Sequence, residues 1–324
     1  MLITRRSMAV AGVVLLAAGV VHAQQQFPNR PIRILVGFTA GSVTDFLARA
    51  VGQKLYESWG QQIVVDNRAG AGGVIASHIL KGATPDGYTL MVASSGHAVN
   101  ASLYSKLPYD TLKDFAGITF LADVPNVLVV SPAPGLKSVR DLIALAKSKP
   151  GQINYGSAGV GSGTHMNGEV FIIAAGIKVV HVPFKGSPEA INNVIGGSVQ
   201  YYFAPITGVV SLIKAGRLTG LAVSTKDRSP VLPDIPSVAE SGGLPGFDYS
   251  VWYGMLGPAK LPKNLKGKIA QEIARILALP DVKERMLTQG ATLRPTSPEE
   301  FDAFIKDEVV RMAKIVKGAG IRVQ

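Results

Sequence analysis

Three segments combine glycine with hydroxyl or imidazole side chains, a fourth reads Phe-Ala-Pro, and each begins near the end of a buried, strand-like run. They are residues 37–45, 94–97, 156–165 and 203–205. In open α/β sheets, ligands bind beyond the carboxyl ends of the strands, where helix N-termini present free N–H groups. Two glycine-and-hydroxyl helix starts lie in different halves of the chain. We therefore expect an anion site between the halves, although each segment taken singly is equally typical of a helix cap or turn.

Several side chains in these segments are placed by the pattern where a ligand would contact them. They are Phe38, Thr39, Ala40, Ser42, Asp45, Ser94, His97, Ser157, Gly161, Thr164, His165, Phe203 and Ala204. Phe38 and Phe203 are expected to form a wall for an apolar part of the ligand. His97 and His165 are equally compatible with ligand contact and with bracing of their loops. His181 lies within an apolar strand and is interpreted as a core histidine.

Recognisable catalytic and metal-binding motifs are absent from the sequence. No serine has the G-x-S-x-G spacing of a nucleophile elbow, and the glycine runs match neither a P-loop nor a dinucleotide fingerprint. The histidines form no H-x-x-x-H pair and cysteine is absent, so neither a metal site nor a cysteine nucleophile is expected. One enzymatic hypothesis remains, acid–base chemistry by His97 or His165 with Asp45. It lacks a complete nucleophile, base and orienting group, so we expect no enzyme and no cofactor.

The framework for these segments is an alternation of strands and helices. Hydrophobic runs predict strands at residues 32–38, 63–66, 88–93, 127–130, 153–156, 179–183, 199–203, 218–224 and 251–257. Helical periodicity and capping patterns predict helices at 45–58, 74–80, 164–175, 208–215, 262–277, 280–288 and 297–316, and two more that begin near 138 and 187. The Pro- and Gly-rich stretch 229–248 is expected to be irregular. This order indicates a doubly wound α/β architecture that is built twice.

Composition limits the class of protein. The chain has 324 residues, of which 47% are hydrophobic and 17% charged, which is enough for about two folded domains and excludes disorder. The formal net charge of +11 raises a nucleic-acid-binding hypothesis, but the basic residues are scattered. Even the densest basic stretch, residues 263–268, is typical of a solvated helix turn rather than a groove-reading patch. Nucleic acid is therefore not an expected partner.

The first 23 residues have the features of a cleavable export signal. Arg5 and Arg6 precede an apolar run over residues 8–20, and cleavage is expected before Gln24. The run is too short to span a membrane. Residues 4–8 loosely resemble a twin-arginine signal, so export by the general secretory or by the twin-arginine route stays open. The mature protein is expected to be soluble and periplasmic.

Eight short motifs follow one another along the chain. They are RPIRI (30–34), TDFLAR (44–49), VDNRAGAGG (65–73), PDGYTL (85–90), LPYD (107–110), NY (154–155), HVPFKG (181–186) and SPVLPDIP (229–236). Together they resemble the Bug family, the periplasmic solute receptors of tripartite tricarboxylate transporters, over nearly the whole mature chain. So many matches in the same order make the resemblance specific.

The resemblance implies a two-lobed periplasmic binding protein, similar to type II, in which each lobe is a sheet flanked by helices. Residues 24–125 and 249–324 are expected to form the first lobe, and residues 126–248 the second. The first and third glycine segments would then bind a small organic carboxylate in the cleft, and the membrane components of the transporter would receive it. A monomer is expected. An orphan receptor that feeds a signalling partner fits the same residues.

Two departures from the family pattern concern the ligand. Residues 39–43 read Thr-Ala-Gly-Ser-Val where the family usually has Pro-Pro-Gly-Gly-Gly, and Ala204 stands where an acidic residue often follows the phenylalanine. A buried ammonium group needs an acceptor or a carboxylate, and Asp45 can be consumed in capping its own loop. The sequence therefore predicts a carboxylate ligand without an amino group.

Overall fold

A computed structural model describes residues 27–133 and 135–321, so the predicted export signal lies outside the described residues. The strands are β1 (Ile32–Val36), β2 (Ile63–Asn67), β3 (Thr89–Ser94), β4 (Phe115–Val130), β5 (Asn154–Ser157), β6 (Val180–Pro183), β7 (Tyr201–Pro205), β8 (Thr219–Val223), β9 (Ser250–Pro258) and β10 (Thr292–Leu293). The helices are α1 (Val43–Trp59), α2 (Val74–Lys81), α3 (Gly96–Leu103), α4 (Val139–Ser148), α5 (Gly163–Ala175), α6 (Ser187–Ile195), α7 (Ile206–Lys214), α8 (Val238–Gly242), α9 (Lys263–Leu277), α10 (Pro280–Thr288) and α11 (Pro298–Ala319).

The described strands form one mixed, curled sheet. Its main order is β2-β1-β3-β9-β4-β7-β5-β6, and β8 and β10 both pair with β4. β1 pairs in parallel with β2 and β3, and β5 pairs in parallel with β6 and β7. Each half of the chain therefore has its own parallel group with flanking helices. This is the α/β architecture, built twice, that the alternation predicts.

Strand β4 joins the two parallel groups. Residues 115–125 of β4 pair antiparallel with β9, whereas residues 126–130 pair antiparallel with β7, and residues 127–130 also with β8. β9 completes the first group because it pairs with β3 as well. The molecule thus has two lobes, one around β1 and one around β5, with β4 extending from one to the other. The residue boundaries proposed for the lobes stay a prediction.

The first part of β4 was not expected from the sequence, which predicts a strand only at 127–130. Almost every residue of β4 is buried, so no alternation of polar and apolar residues marks the strand. Its partner is also distant in sequence, since Phe115 pairs with Pro258. Tertiary pairing, and not local pattern, therefore determines where this strand begins.

Helix α3 is a second correction, because the sequence predicts only a loop at residues 94–97. Gly96 begins this helix, whose Gly, His, Asn and Ser residues have poor intrinsic helix propensity. The helix is stabilised by packing against α11. The stretch 229–248 is mostly irregular as expected, although it contains the short helix α8, where the Ser237 side chain accepts a hydrogen bond from the Glu240 N–H.

The two faces of β9 have different roles. Trp252 packs against Phe301 and Phe304 of α11, and its indole N–H donates to Glu308 Oε2 at 3.0 Å. Because successive residues of a strand point to opposite faces, Val251 and Tyr253 face the other side. One face of β9 is therefore held against α11, and the other face places Val251 and Tyr253 between the lobes.

Candidate functional site

A small cavity lies where the ends of β1, β3 and β5 meet the starts of α1, α5 and α6. It is lined by Phe38, Ser42, Val43, Thr44, Ser94, Ala158, Ser162, Gly163, Thr164, Ser187, Val251 and Tyr253. Its volume of ≈ 20 Å³ is about the room that one water molecule needs. A carboxylate of several carbon atoms fits only if the lobes move apart and close again around it.

Three helix N-termini converge on this cavity, one from the first lobe and two from the second. Ser162 is the N-cap of α5, and its side chain accepts a hydrogen bond from the His165 N–H at 3.2 Å. Ser42 is the N-cap of α1 but its side chain makes no capping bond. The third is the start of α6 at Ser187. Free N–H groups and the helix dipoles make such a convergence favourable for an anion.

Two hydroxyls in the cavity wall have no hydrogen-bond partner within the described part of the chain. These are Ser42 Oγ and Thr44 Oγ1, on residues that are only 4% and 1% exposed. An unpaired buried hydroxyl is costly, so these two groups are suited to an acceptor that enters the cavity.

The charge of the cavity wall is close to zero. Among the described residues that line it there is no Lys, Arg, Asp, Glu or His. Burial raises the pKa of Tyr253, so its phenol stays neutral. Recognition of an anion here would therefore depend on neutral donors and helix dipoles and not on an ion pair.

Asp45 lies beside the site, but other residues already use its carboxylate. Its oxygens accept hydrogen bonds from the Gly41 N–H (3.0 Å), from Arg49 Nε (3.0 and 3.1 Å) and from Asn67 Nδ2 (3.0 Å). Burial by itself raises the pKa of Asp45, but the hydrogen bonds from Arg49, Gly41 and Asn67 outweigh it and leave the pKa lowered. Asp45 therefore holds the first loop as an ionised carboxylate and does not line the cavity.

The loops of the two lobes touch each other at the side of the cavity. The Thr39 N–H donates to the Lys185 carbonyl at 3.4 Å, and a Cβ at Gly186 would overlap the Thr39 hydroxyl. On the other side, a Cβ at Gly72 would overlap the Val160 carbonyl. The lobes are thus in contact with each other. At both places the close approach is possible because a glycine has no side chain.

His97 lies away from the cavity, among aromatic rings. Its imidazole stacks on Tyr109 and packs edge-on against Phe115, with ring centroids 6.0 and 4.7 Å away. Burial lowers the pKa of His97 to about 4. It lines a separate cavity of ≈ 290 Å³ beside Thr111. Of the two roles left open by the sequence, the structure places His97 in the packing of the first lobe.

The third loop rests on a buried cluster behind the cavity. Ser157 Oγ lies 2.6 Å from His181 Nε2, the His181 ring stacks on His165 at 4.2 Å, and His165 Nδ1 accepts from the Gly161 N–H at 3.3 Å. Burial lowers the pKa of His165 to about 4 and, with the nearby His165, that of His181 to about 3. Ser157, His165 and Gly161 therefore brace the loop and do not line the cavity. His181 is only half-buried, unlike a core residue.

The remaining predicted residues divide into two groups. Phe38, Ser42, Ser94 and Thr164 line the cavity as expected. Phe203 is in the core of the second lobe, where Phe171 and Phe247 pack against it, so it cannot form the predicted apolar wall in this state. Three more do not line the cavity: Thr39, which contacts the opposite lobe; Ala40, which is exposed; and Ala204, which is buried in β7.

Sequence reasoning did not select eight of the lining residues as ligand contacts. They are Val43, Thr44, Ala158, Ser162, Gly163, Ser187, Val251 and Tyr253. Five of them lie inside the first and third glycine segments, so the cavity is lined by the predicted segments but partly by other side chains of those segments. For Ser187 the sequence predicts only the start of a helix. Tyr253 lies near a strand end, where an aromatic residue is more typical of the core than of a ligand wall, and Val251 has no such signal. β9 brings both here from the far end of the chain.

Within residues 27–133 and 135–321, no three of His, Asp and Glu are grouped closely enough to hold a metal ion. The same residues contain no helix long and apolar enough to cross a membrane.

Comparisons with known proteins agree with the two-lobed α/β fold. The profile of a family described as "Tripartite tricarboxylate transporter family receptor" matches residues 47–321. The solved structure of periplasmic binding protein BugD is 31% identical, with a TM-score of 0.88, and the match covers 92% of this chain and 100% of BugD.

Two related structures contain a ligand. Rpa4515 of R. palustris, solved with adipate, is 32% identical with a TM-score of 0.88 over 91% of this chain and 99% of its own. MatC (Rpa3494) from Rhodopseudomonas palustris, solved with bound malate, is 29% identical with a TM-score of 0.85 over 90% and 100%. The expected α/β fold of a two-lobed binding protein is confirmed.

Proposed function

Because the chain belongs to the tripartite tricarboxylate transporter receptor family and is a relative of the Bug proteins, we propose that it is a periplasmic receptor for a small organic carboxylate. The carboxylate would bind in the cavity between the lobes and would be passed to the membrane components of a tripartite transporter. Cleavage of the predicted signal before Gln24 would release the mature receptor.

The observation that carries this proposal is the neutral, donor-rich wall of the cavity. Six of its residues bear an aliphatic hydroxyl: Ser42, Thr44, Ser94, Ser162, Thr164 and Ser187. Carboxylate oxygens are acceptors only, so they match hydroxyls and free helix N–H groups. Each helix N-terminus favours an anion by about 0.3–1 kcal/mol, and by about 2 kcal/mol where it is partly buried. The related structures with adipate and malate support a carboxylate as the ligand.

The same wall disfavours an amino acid. Hydroxyl oxygens can accept hydrogen bonds from an ammonium group, but only a carboxylate would balance its buried charge. The nearby carboxylate of Asp45 is already bound by Arg49, Asn67 and Gly41. The buried Ala204 contributes no side-chain acceptor. Burial of an unpaired ammonium group costs several kcal/mol, which exceeds the stabilisation that one helix N-terminus gives to the carboxylate of the same ligand. We therefore propose a dicarboxylate or hydroxy acid without an amino group, since Phe203, packed against Phe171 and Phe247, gives no apolar wall for an aromatic acid.

The geometry gives little support to an acid–base enzyme. His97 lies among aromatic rings, His165 braces the third loop, and Asp45 is bound by Arg49 and Asn67. BugD, a protein of similar sequence and fold, is named as a binding protein, which favours a receptor. Delivery to a transporter and delivery to a signalling partner both remain compatible with the cavity. We propose transport because of the family, with the protein acting as a monomer.

Isothermal titration calorimetry of the mature protein with succinate, malate and adipate tests the binding proposal. We expect at least one of these dianions to bind with micromolar affinity or better. 1,4-Diaminobutane, of similar length and opposite charge, is the control and should not bind. Binding of the diamine, or of none of the three acids, would contradict the proposal.

Uptake of the radiolabelled acid by cells with and without the gene separates transport from signalling. A transport receptor predicts that uptake is lost with the gene and restored by the wild-type copy. Unchanged uptake in the deletion strain would favour the signalling alternative.

A further inference from the structure

Tyr202 of β7 connects the hydroxyl groups of two helix starts without lining the cavity itself. The Tyr202 side chain is fully buried, and its phenol donates a hydrogen bond to Ser187 Oγ at 3.0 Å. The Thr164 hydroxyl interacts with the same phenol. Ser187 and Thr164 both line the cavity, at the starts of α6 and α5. Tyr202 therefore lies immediately behind the second lobe's contribution to the site.

The direction of the hydrogen bond matters because a carboxylate can only accept. A serine hydroxyl has one proton and two lone pairs. When the phenol donates to Ser187 Oγ, the Ser187 proton has to point elsewhere, and Ser187 itself lines the cavity. Thr164 differs, because its Oγ1 accepts from the Ala158 N–H at 2.9 Å while the Tyr202 phenol oxygen and Ser162 Oγ (3.1 Å) are both within reach of its proton. Ser187 is thus the hydroxyl that is held with an acceptor site occupied and its proton available.

The phenol keeps its donor role over a wide pH range. Burial raises the pKa of Tyr202 to about 12, against the opposing effect of the hydrogen bonds to Ser187 and Thr164. The adjacent Tyr201 offers a natural comparison. It is also buried, but its phenol has no hydrogen-bond partner in the described residues, and its ring packs against Tyr155 and Phe171 on the opposite face of β7.

We propose that Tyr202 is a positioning residue for ligand binding, which orients the Ser187 hydroxyl as a donor toward a carboxylate oxygen of the ligand. This inference rests on the proposed function, because it assumes that an anion occupies the cavity. It goes further because it assigns a contribution to ligand affinity to Tyr202, which does not line the cavity. It also assigns the start of α6 a direct role beside the first and third glycine segments.

Calorimetry with succinate, malate and adipate on Tyr202→Phe, Ser187→Ala and the double variant tests the inference, with Tyr201→Phe as the matched control. Loss of one hydrogen bond to a charged group predicts that Ser187→Ala weakens binding about tenfold, and Tyr202→Phe about three- to tenfold. Tyr201→Phe should leave the affinity unchanged. If Tyr202 acts through Ser187, Tyr202→Phe should change the affinity less than about twofold in the Ser187→Ala protein.

A merely structural role for Tyr202 predicts a different pattern. The loss of affinity would then persist in full in the Ser187→Ala background, and this result would overturn the inference. Equal affinities of Tyr202→Phe, Tyr201→Phe and wild type would overturn it as well, while the proposed function would stand. If the wild-type protein bound none of the three acids, the proposed function would fail and the inference with it.

Discussion

Gly96 of the first lobe faces the carbonyl oxygen of Gly161 in the second lobe so closely that a Cβ at position 96 would lie 2.8 Å from it. The same Cβ would lie 3.3 Å from the Gly72 carbonyl. All of these neighbours are backbone atoms, which cannot rotate away as a side chain would. The closed state therefore depends on the absence of a side chain at Gly96.

We expect Gly96→Ala to hinder closure of the lobes and to weaken the binding of dicarboxylates at least about tenfold, because closure contributes to the apparent affinity. Small-angle scattering at saturating ligand should give a larger radius of gyration for the variant than for the wild type. Gly267→Ala in α9 is the control, since nothing lies within 4 Å of its Cβ. Equal radii and equal affinities would show that the contact does not limit closure.

Thr44→Val should separate binding from stability. The Thr44 hydroxyl is buried without a partner in the described residues, so its removal should not lower the free energy of unfolding and could raise it by about 1 kcal/mol. Binding of dicarboxylates should weaken about tenfold, since a donor to the carboxylate is lost.

Thr111→Val is the matched control for this change. Its Oγ1 is likewise buried and unpartnered in the described part of the chain, but Thr111 lines the cavity beside His97 and not the one between the lobes. Urea unfolding and calorimetry on both variants check the pair. Equal ligand affinities for the two variants would show that the Thr44 hydroxyl does not contribute to ligand binding.

Succinate should bind at least about tenfold more tightly than aspartate, which differs from it by one ammonium group. The expected penalty is that of burying an unpaired cation against a wall without carboxylates. Malate against aspartate gives a second pair, in which a hydroxyl replaces the ammonium group. Calorimetric titration compares the pairs directly, and tighter binding of aspartate in both would show that the site neutralises an ammonium group after all.

The stability of the protein should fall as the pH falls below about 6.5. The folded-state pKa of His97 is lowered by burial to about 4, whereas the unfolded chain binds a proton near the ordinary pKa of 6.5. The stabilisation is therefore complete above pH 6.5 and is lost progressively as the pH falls through 4, by up to about 3 kcal/mol. His165 and His181 act in the same direction.

His97→Phe should reduce this pH dependence, because phenylalanine can pack against Tyr109 and Phe115 without a proton to bind. Urea unfolding between pH 4 and 7 measures the slope. His78→Gln is the control, since His78 is exposed on α2. A slope in His97→Phe as steep as that of the wild type would mean that His97 titrates normally in the folded protein.

Much of the framework could be predicted from the sequence, because its signals are local. Ile32–Val36 and the helix that begins at Val43 lie close to their predicted bounds. In that helix Val43, Leu47, Val51 and Leu55 are buried at intervals of four residues, which is a pattern visible in the sequence alone. The glycine and hydroxyl residues of the first and third segments were likewise recognised, since helix starts have a characteristic composition.

The choice of cavity residues could not be predicted, because it depends on contacts between distant parts of the chain. Position in a loop did not distinguish Ser42, whose hydroxyl has no partner among the residues that the structure describes, from Ser157, whose hydroxyl lies against His181. Phe203 and Tyr202 are neighbours on one strand, and only the packing of helices on the two faces of β7 decides that the first is core and the second lies behind the site. Local sequence thus determines which segments form helix starts and strand ends, whereas the pairing of β4 with β9 and the closure of the lobes determine which side chains face the ligand.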